Sequence, residues 1–256
     1  MRAQRPLRRI PAELPSRHWE GTDGARDVAT STLKSATTLI GEAILDAGLA
    51  VLTGEPGLGK TFTARSIAER LSIPAHYYEA RRGVRGKSIE LDLLKALGAD
   101  FDPRDPRRDL QDAIVEACGR QRLVIVDELD RIGDEGVDVL RWVWSQPGNR
   151  AAFVFVGHKL EGVLASNPAL DSRVERRIKF RPLTAEEVVA LLPEYHAIYE
   201  GASEALLVRL HSLTDGRFRE IAQMTKQLLL DSPQPYRRLT QRVLEDAWGE
   251  TGRRAA

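Results

Sequence analysis

The chain of 256 residues has one cysteine, Cys118. No intramolecular disulfide can form, and a zinc site rich in cysteine is excluded. Cys118 follows Ile114 and Leu110 at helical spacing, so its expected role is core filling. Long hydrophobic runs are also missing: none approaches the ~20 residues of a membrane span. The early arginines are followed by no apolar stretch, so no secretory signal is expected and the cytoplasm is the expected location. An excess of one charge sign is absent too. The 38 Lys and Arg nearly balance the 37 Asp and Glu. Any nucleic-acid contact must then come from a local patch and not from the overall field. No internal repeat is visible.

What is present is a short apolar run, Val51-Leu52-Thr53, then Gly54-Glu55-Pro56-Gly57-Leu58-Gly59-Lys60-Thr61, then a helical pattern that includes Phe62. This is G-x-x-x-x-G-K-T between a strand and a helix, the phosphate-binding P-loop in its expected setting. Glycines let backbone N–H groups curl around phosphate oxygens where a side chain would block the approach. The expected nucleotide contacts run from Gly54 to Phe62. Lys60 would reach the β- and γ-phosphates of ATP, and the Thr61 hydroxyl would complete the shell of a Mg²⁺ ion.

Along the chain, residues 1–24 carry Pro6, Pro11, Pro15, Gly21 and Gly24 without periodicity and read as an arm. Arg2, Arg5, Arg8 and Arg9 make it basic; it is either a solubilising tail or a segment lying on DNA or a neighbouring subunit. Helices are expected over 25–47, 60–71, 87–97, 109–118 and 135–145. Strands are expected over 49–53, 75–79, 123–127, 151–156 and 178–180. Strands alternating with helices imply an α/β domain with an open parallel sheet flanked by helices, placed at 25–181. From 182 to 256 only helices are expected, near 185–199, 203–213, 217–230 and 240–248, a small helical lid.

Four further elements carry chemistry. Leu123-Val124-Ile125-Val126-Asp127-Glu128 is an apolar strand ending in two acids, the Walker B pattern. Asp127 would hold Mg²⁺, and Glu128 would polarise an attacking water and accept its proton. Both motifs end strands, where ligands of open α/β sheets bind. Next, Phe153-Val154-Phe155-Val156 leads to Gly157-His158. His158 is either a residue that orients water or an exposed loop histidine. Asp171-Ser172-Arg173-Val174-Glu175-Arg176-Arg177 offers guanidinium groups, which suit phosphate charge in a transition state. Arg173 is the first choice, Arg176 or Arg177 the second; the alternative is a solvated cluster paired with Asp171 and Glu175. Lastly, Arg219 in Gly216-Arg217-Phe218-Arg219 would report on the γ-phosphate, or else pair with an acid such as Glu220.

GEPGLGKT at 54–61, VIVDE at 124–128, VGH at 156–158, SRVERR at 172–177 and GRFR at 216–219, in this order, resemble an AAA+ ATPase over nearly the whole chain. Within that class the chain is similar to transposition regulators of the MuB, TnsC and TniB kind. ELDLLKALGAD at 90–100, DELDRI at 127–132 and the run 139–184 carry this likeness. The resemblance implies ATP hydrolysis at subunit interfaces of a homo-oligomer, a ring or helical filament on duplex DNA. It also implies recruitment and stimulation of a DDE-type transposase. Two departures stand out. His158 replaces the more usual Asn, Thr or Gln, and only the arginine arm is expected before the core. DNA binding would then fall on the core itself.

Arg81-Arg82-Gly83-Val84-Arg85-Gly86-Lys87 holds four basic residues and no acid. It follows the second strand, in the region that lines the central channel of related rings. Arg81, Arg82, Arg85 and Lys87 would track phosphates without reading bases, with steep salt dependence. The alternative is a solvated basic turn; Arg131 is a further, weaker contact. A replication initiator or loader, or a secretion-associated ATPase, are the competing readings.

Overall fold

The computed structural model describes residues 22–231 and 239–254. The arginines of the expected arm, Arg2, Arg5, Arg8 and Arg9, lie outside the described residues. The chain forms two compact units. The first holds 32–55 and 60–180; the second holds 22–31, 56–59 and the chain from Arg181 onward.

In the first unit, helix α1 (Ser31–Asp46) enters strand β1 (Leu49–Thr53), and α2 (Lys60–Arg70) leads to β2 (Ala75–Glu79). Helices α3 (Lys87–Leu97) and α4 (Arg107–Cys118) precede β3 (Arg122–Asp127); α5 (Asp134–Trp144) precedes β4 (Ala151–Gly157). Two short helices follow, α6 (Leu160–Ala165) and α7 (Pro168–Asp171), then β5 (Arg176–Lys179). The sheet order is β2-β3-β4-β1-β5, and every neighbouring pair is parallel. β1, β3 and β4 are buried along their whole length. Helices on both faces leave a parallel strand no solvated side, which is why these runs are continuous and not alternating. One core joins Leu49, Val124, Phe153 and Phe155 to Ile89, Leu93, Leu110, Ile114 and Cys118. Burial pushes the Cys118 thiol up to about 11, so it stays an inert apolar filler.

Several boundaries differ from expectation: the fourth helix begins at Arg107 and not at residue 109, the last helix runs on from residue 248 to Arg254, and three others have a visible cause. The first helix was expected from residue 25 but begins at Ser31. Ahead of it, Arg26 N donates to Tyr195 O at 2.8 Å, within the second unit; this tertiary bond takes the place of a helical one. The last strand was expected at 178–180 and is Arg176–Lys179. The Arg176 guanidinium salt-bridges Asp46 and lies 3.7 Å from Glu42, both on α1, so a polar residue extends the strand. The expected 185–199 helix divides at His196, whose Nδ1 accepts from Ile198 N at 3.0 Å.

The second unit is helical: α8 (Ala185–Tyr195), α9 (Glu204–Thr214), α10 (Phe218–Asp231) and α11 (Gln241–Arg254). Its own core contains Val188, Leu192, Tyr199, Leu207, Leu210, Ile221, Met224 and Leu228. A capping box opens α8: Thr184 Oγ1 accepts from Glu187 N, and Glu187 accepts from Thr184 N.

Candidate functional site

Because the strands are all parallel, their carboxyl ends share one edge. Register aligns Thr53 of β1 with Gly157 of β4, and Glu79 of β2 with Asp127 of β3. β4 lies between β1 and β3. Three motifs separated by many residues therefore end side by side.

After β1 the loop turns through Gly54, Gly57 and Gly59 at φ +145°, +84° and +89°, conformations that cost glycine little. Space adds to the constraint at Gly54, where a Cβ would stand 2.7 Å from Phe180 O. Glu55 and Pro56 are exposed, Leu58 is buried, and Thr61 and Phe62 are half-buried. Lys60 opens α2, and its Nζ donates to the carbonyls of Gly54 at 2.6 Å and Glu55 at 2.8 Å. The ammonium is folded back over the loop. The first turn of α2 brings the positive end of its dipole to the loop.

At the end of β3, Asp127 is 3% exposed and both its oxygens accept hydrogen bonds. Oδ1 accepts from Glu128 N at 2.8 Å. Oδ2 accepts from Thr61 Oγ1 at 2.8 Å and from Tyr77 OH at 2.5 Å. Sequence reasoning missed Tyr77, on β2; its one signal was a strand of mixed polar and aromatic residues. The Arg65 guanidinium lies over the Tyr77 ring, 4.3 Å from its centroid. Burial first, and then the Asp127 charge, push the phenol well above its usual pKa, so it remains a donor.

Glu128 takes a left-handed conformation, φ 57° and ψ 39°, which costs a non-glycine residue about 1–2 kcal/mol. A 3-10 turn, Leu129–Arg131, follows it. Arg131 Nε lies 3.3 Å from Glu128 Oε2, and Arg131 Nη1 lies 3.9 Å from Glu79. Arg131 is thus engaged with site carboxylates. Burial raises the Glu128 carboxyl above its ordinary value; Arg131 opposes this, and Asp127, Asp130 and Glu79 reinforce it. A carboxylate shifted upward is a better proton acceptor near neutral pH.

The β4 tip is held from the same turn. Asp130 Oδ1 accepts from His158 N at 2.9 Å. His158 Nε2 lies 3.1 Å from Glu55 Oε1. A Cβ on Gly157 would stand 2.5 Å from Asp130 Oδ1 and 2.7 Å from Leu160 Cδ2. Beyond it, Thr53 Oγ1 donates to Glu161 at 3.2 Å and accepts from Leu160 N at 3.3 Å.

The three arginines before and within β5 are separated by their partners. Arg176 is 14% exposed and bound to the α1 acids. Arg177 donates to the carboxylate and carbonyl of Asp171 at 2.9 and 2.8 Å. Arg173 is exposed and donates to Ala169 O. Among the described residues no carboxylate pairs with it.

The basic loop divides likewise. Arg81 pairs with Asp92 at 2.6 Å yet stays exposed. Lys87 Nζ donates to Asp105 O at 2.5 Å, and Gly86 N donates to Glu135 at 3.0 Å. Glu90, fully buried, accepts from Arg107 Nε at 2.7 Å and Gln111 Nε2 at 3.2 Å, tying α3 to α4. The loop's stem is anchored, and Arg82 and Arg85 project from its tip, both exposed.

Within the second unit, Arg219 N donates to Gly57 O at 3.1 Å. Arg219 Nε and Glu220 Oε2 are buried without a hydrogen-bond partner among the described residues. No Arg219–Glu220 ion pair forms.

The residues present suit a nucleotide with Mg²⁺. The glycine conformations provide a cradle for phosphate oxygens, and Thr61 with Asp127 provides hard oxygen ligands. Among the described residues no group of three or more His, Cys, Asp or Glu gathers to hold a metal ion. A Mg²⁺ here would need phosphate oxygens to complete its shell.

Residues 44–163 match the family model described as AAA domain. The five-stranded parallel sheet flanked by helices is the fold of an AAA+ P-loop ATPase. The "ATP-dependent target DNA activator B" of Escherichia phage D108 is 32% identical over 157 residues, covering 57% of this chain and 44% of that protein. The chain therefore spans less than half the length of this curated relative. Among solved AAA+ structures, the Orc1 protein of Aeropyrum pernix in complex with DNA has a TM-score of 0.66 at 18% identity, over 92% of this chain and 69% of that one. Cdc6p of Pyrobaculum aerophilum has a TM-score of 0.61 at 21% identity, over 87% and 63%. The Thermotoga maritima RuvB Holliday junction branch migration motor has a TM-score of 0.57 at 18% identity, over 87% and 70%. These three likenesses establish the fold alone. Among the described residues no helix is long and apolar enough to cross a membrane.

Proposed function

We propose that this chain is an ATP-hydrolysing, DNA-binding AAA+ protein that assembles on duplex DNA and recruits and activates a transposase there. The observation that carries this reading is the match to a relative named an ATP-dependent target DNA activator. Support comes from the anchored basic loop with Arg82 and Arg85 at its exposed tip. Two arginines on a glycine-flexed turn suit phosphate contacts that ignore sequence.

In this reading the backbone from Gly54 to Gly59 and the α2 N-terminus bind the triphosphate, flanked by Leu58 and Phe62. Lys60 exchanges its loop carbonyls for phosphate oxygens. Thr61 and Asp127 would hold Mg²⁺, which would supply charge neutralisation at the phosphates. Glu128 accepts the proton of the attacking water, with Arg131 fixing its carboxylate until then. His158, held by Asp130 and Glu55, orients the water. Arg173, with no acid to hold it among the described residues, reaches the nucleotide of a neighbouring copy. Hydrolysis then ends the assembled state.

The test is electron microscopy and DNA co-sedimentation with ATP, ADP or a slowly hydrolysed analogue. DNA-dependent rings or filaments with ATP are expected, absent in Lys60→Ala and persistent in Glu128→Gln. Assembly indifferent to nucleotide, or none on duplex DNA, would sink the reading. The transposase step is tested separately, by ATP-dependent stimulation of strand transfer by a DDE-type enzyme.

A further inference from the structure

Asp127 carries more hydrogen bonds than a strand-end acid needs. Its Oδ1 is held by Glu128 N, and its Oδ2 receives two hydroxyl protons, from Thr61 of α2 and Tyr77 of β2. A carboxyl group turns freely about a broad terminal torsion. With three donors from three segments that torsion has one setting. Tyr77 suits the task because its ring is itself held. Arg65 lies over it at 4.3 Å, a cation–π contact, and β2 is in register with β3 through Tyr77↔Ile125 and Glu79↔Asp127. The setting matters to Thr61 as well. While Thr61 donates its proton to Oδ2, its lone pairs stay available for a cation.

We propose that Tyr77 is a positioning residue that keeps Asp127 and Thr61 set for the metal-bound nucleotide; this rests on the nucleotide-hydrolysing reading above. The Tyr77 hydroxyl is spent on Asp127 Oδ2. It acts through Asp127, and its removal is felt only where the metal contributes to binding. A purely structural tyrosine would instead weaken nucleotide binding with and without metal alike.

The experiment compares the full chain with Tyr77→Phe, which keeps the ring under Arg65 and removes only the hydroxyl. Affinity for a fluorescent ATP analogue is measured in Mg²⁺ and in EDTA, followed by a Mg²⁺ titration at fixed nucleotide. In wild type, Mg²⁺ tightens binding. In Tyr77→Phe, EDTA affinity is unchanged and the Mg²⁺ affinity falls about tenfold, the scale of one hydrogen bond to a charged group. The Mg²⁺ titration midpoint rises, and excess Mg²⁺ restores binding. An unchanged ratio between the two conditions overturns the inference while leaving the function intact, as does an equal loss in both. A wild-type chain that binds no nucleotide overturns the function and this inference together.

Discussion

Gly157→Ala tests whether the β4 tip and the turn bearing Glu128 are mechanically joined. The backbone at Gly157 needs no positive φ, so the new methyl matters only for the space it takes. A Cβ there meets Asp130 Oδ1 at 2.5 Å and Leu160 Cδ2 at 2.7 Å. Leu160 is fully buried, and forcing a methyl against it costs about 1–3 kcal/mol. Asp130 is exposed and can swing away, giving up the hydrogen bond from His158 N at about 1 kcal/mol. The expected loss is about 3 kcal/mol, a melting point lower by roughly 6–12 °C. The displaced Asp130 shares its 3-10 turn with Arg131, the partner of Glu128. ATP turnover therefore falls while nucleotide affinity, set at the P-loop, holds. The assay is thermal unfolding, nucleotide titration and steady-state turnover on Gly157→Ala, Asp130→Ala and the double variant. The two substitutions should couple by about 1 kcal/mol, because the methyl has no Asp130 carboxylate to displace once Ala stands there. Strict additivity, or unchanged turnover in Gly157→Ala, refutes the reasoning.

Two further outcomes follow from ion pairing. Arg173→Ala is expected to leave the melting point unchanged and to lower turnover at least tenfold under assembly conditions, since no acid among the described residues holds this side chain; Arg176→Ala, whose partners are the α1 acids, is expected to lower the melting point instead. The reverse pattern in paired turnover and melting curves would move the transition-state role to Arg176. Glu187 is held down to about 2, first by the Arg181 hydrogen bond, against about 4.3 when unfolded. A depressed carboxyl adds stability that is complete above the unfolded value and is lost as pH falls toward about 2. Discounted for the half-exposed Arg181, the effect is about 1 kcal/mol. Denaturation series from pH 6 to 2 should show a shallower loss in Glu187→Gln; parallel curves would dismiss the pair.

The strand skeleton was legible because burial on both faces leaves a plain mark. The runs 49–53 and 123–127 are apolar up to their last residue, 151–156 throughout, and each is a strand to within a residue. G-x-x-x-x-G-K-T and the Asp-Glu strand end were equally plain, since chemistry demands their spacing. What escaped depends on partners distant in sequence. β5 holds two arginines, and its first is neutralised from α1, some 130 residues earlier. Tyr77 reaches Asp127 across 50 residues, a contact set by strand register, which no local pattern carries. The left-handed Glu128 was hidden for another reason: that conformation usually announces itself as glycine or asparagine, and here the turn imposes it on glutamate. Within the basic loop, all four charges looked alike; only the fold distinguishes Arg82 and Arg85 from Arg81 and Lys87, which have partners of their own.

The outermost strands of the sheet are β2 and β5. β5 has four residues, three of them cationic; β2 has five and carries His76 and Glu79. Short, charged margins discourage one sheet from annealing to another. Copies of this chain are thereby steered away from the nearly irreversible route of shared backbone ladders. In the assembly proposed above, contacts between copies would then be made through side chains, which separate more readily than shared ladders.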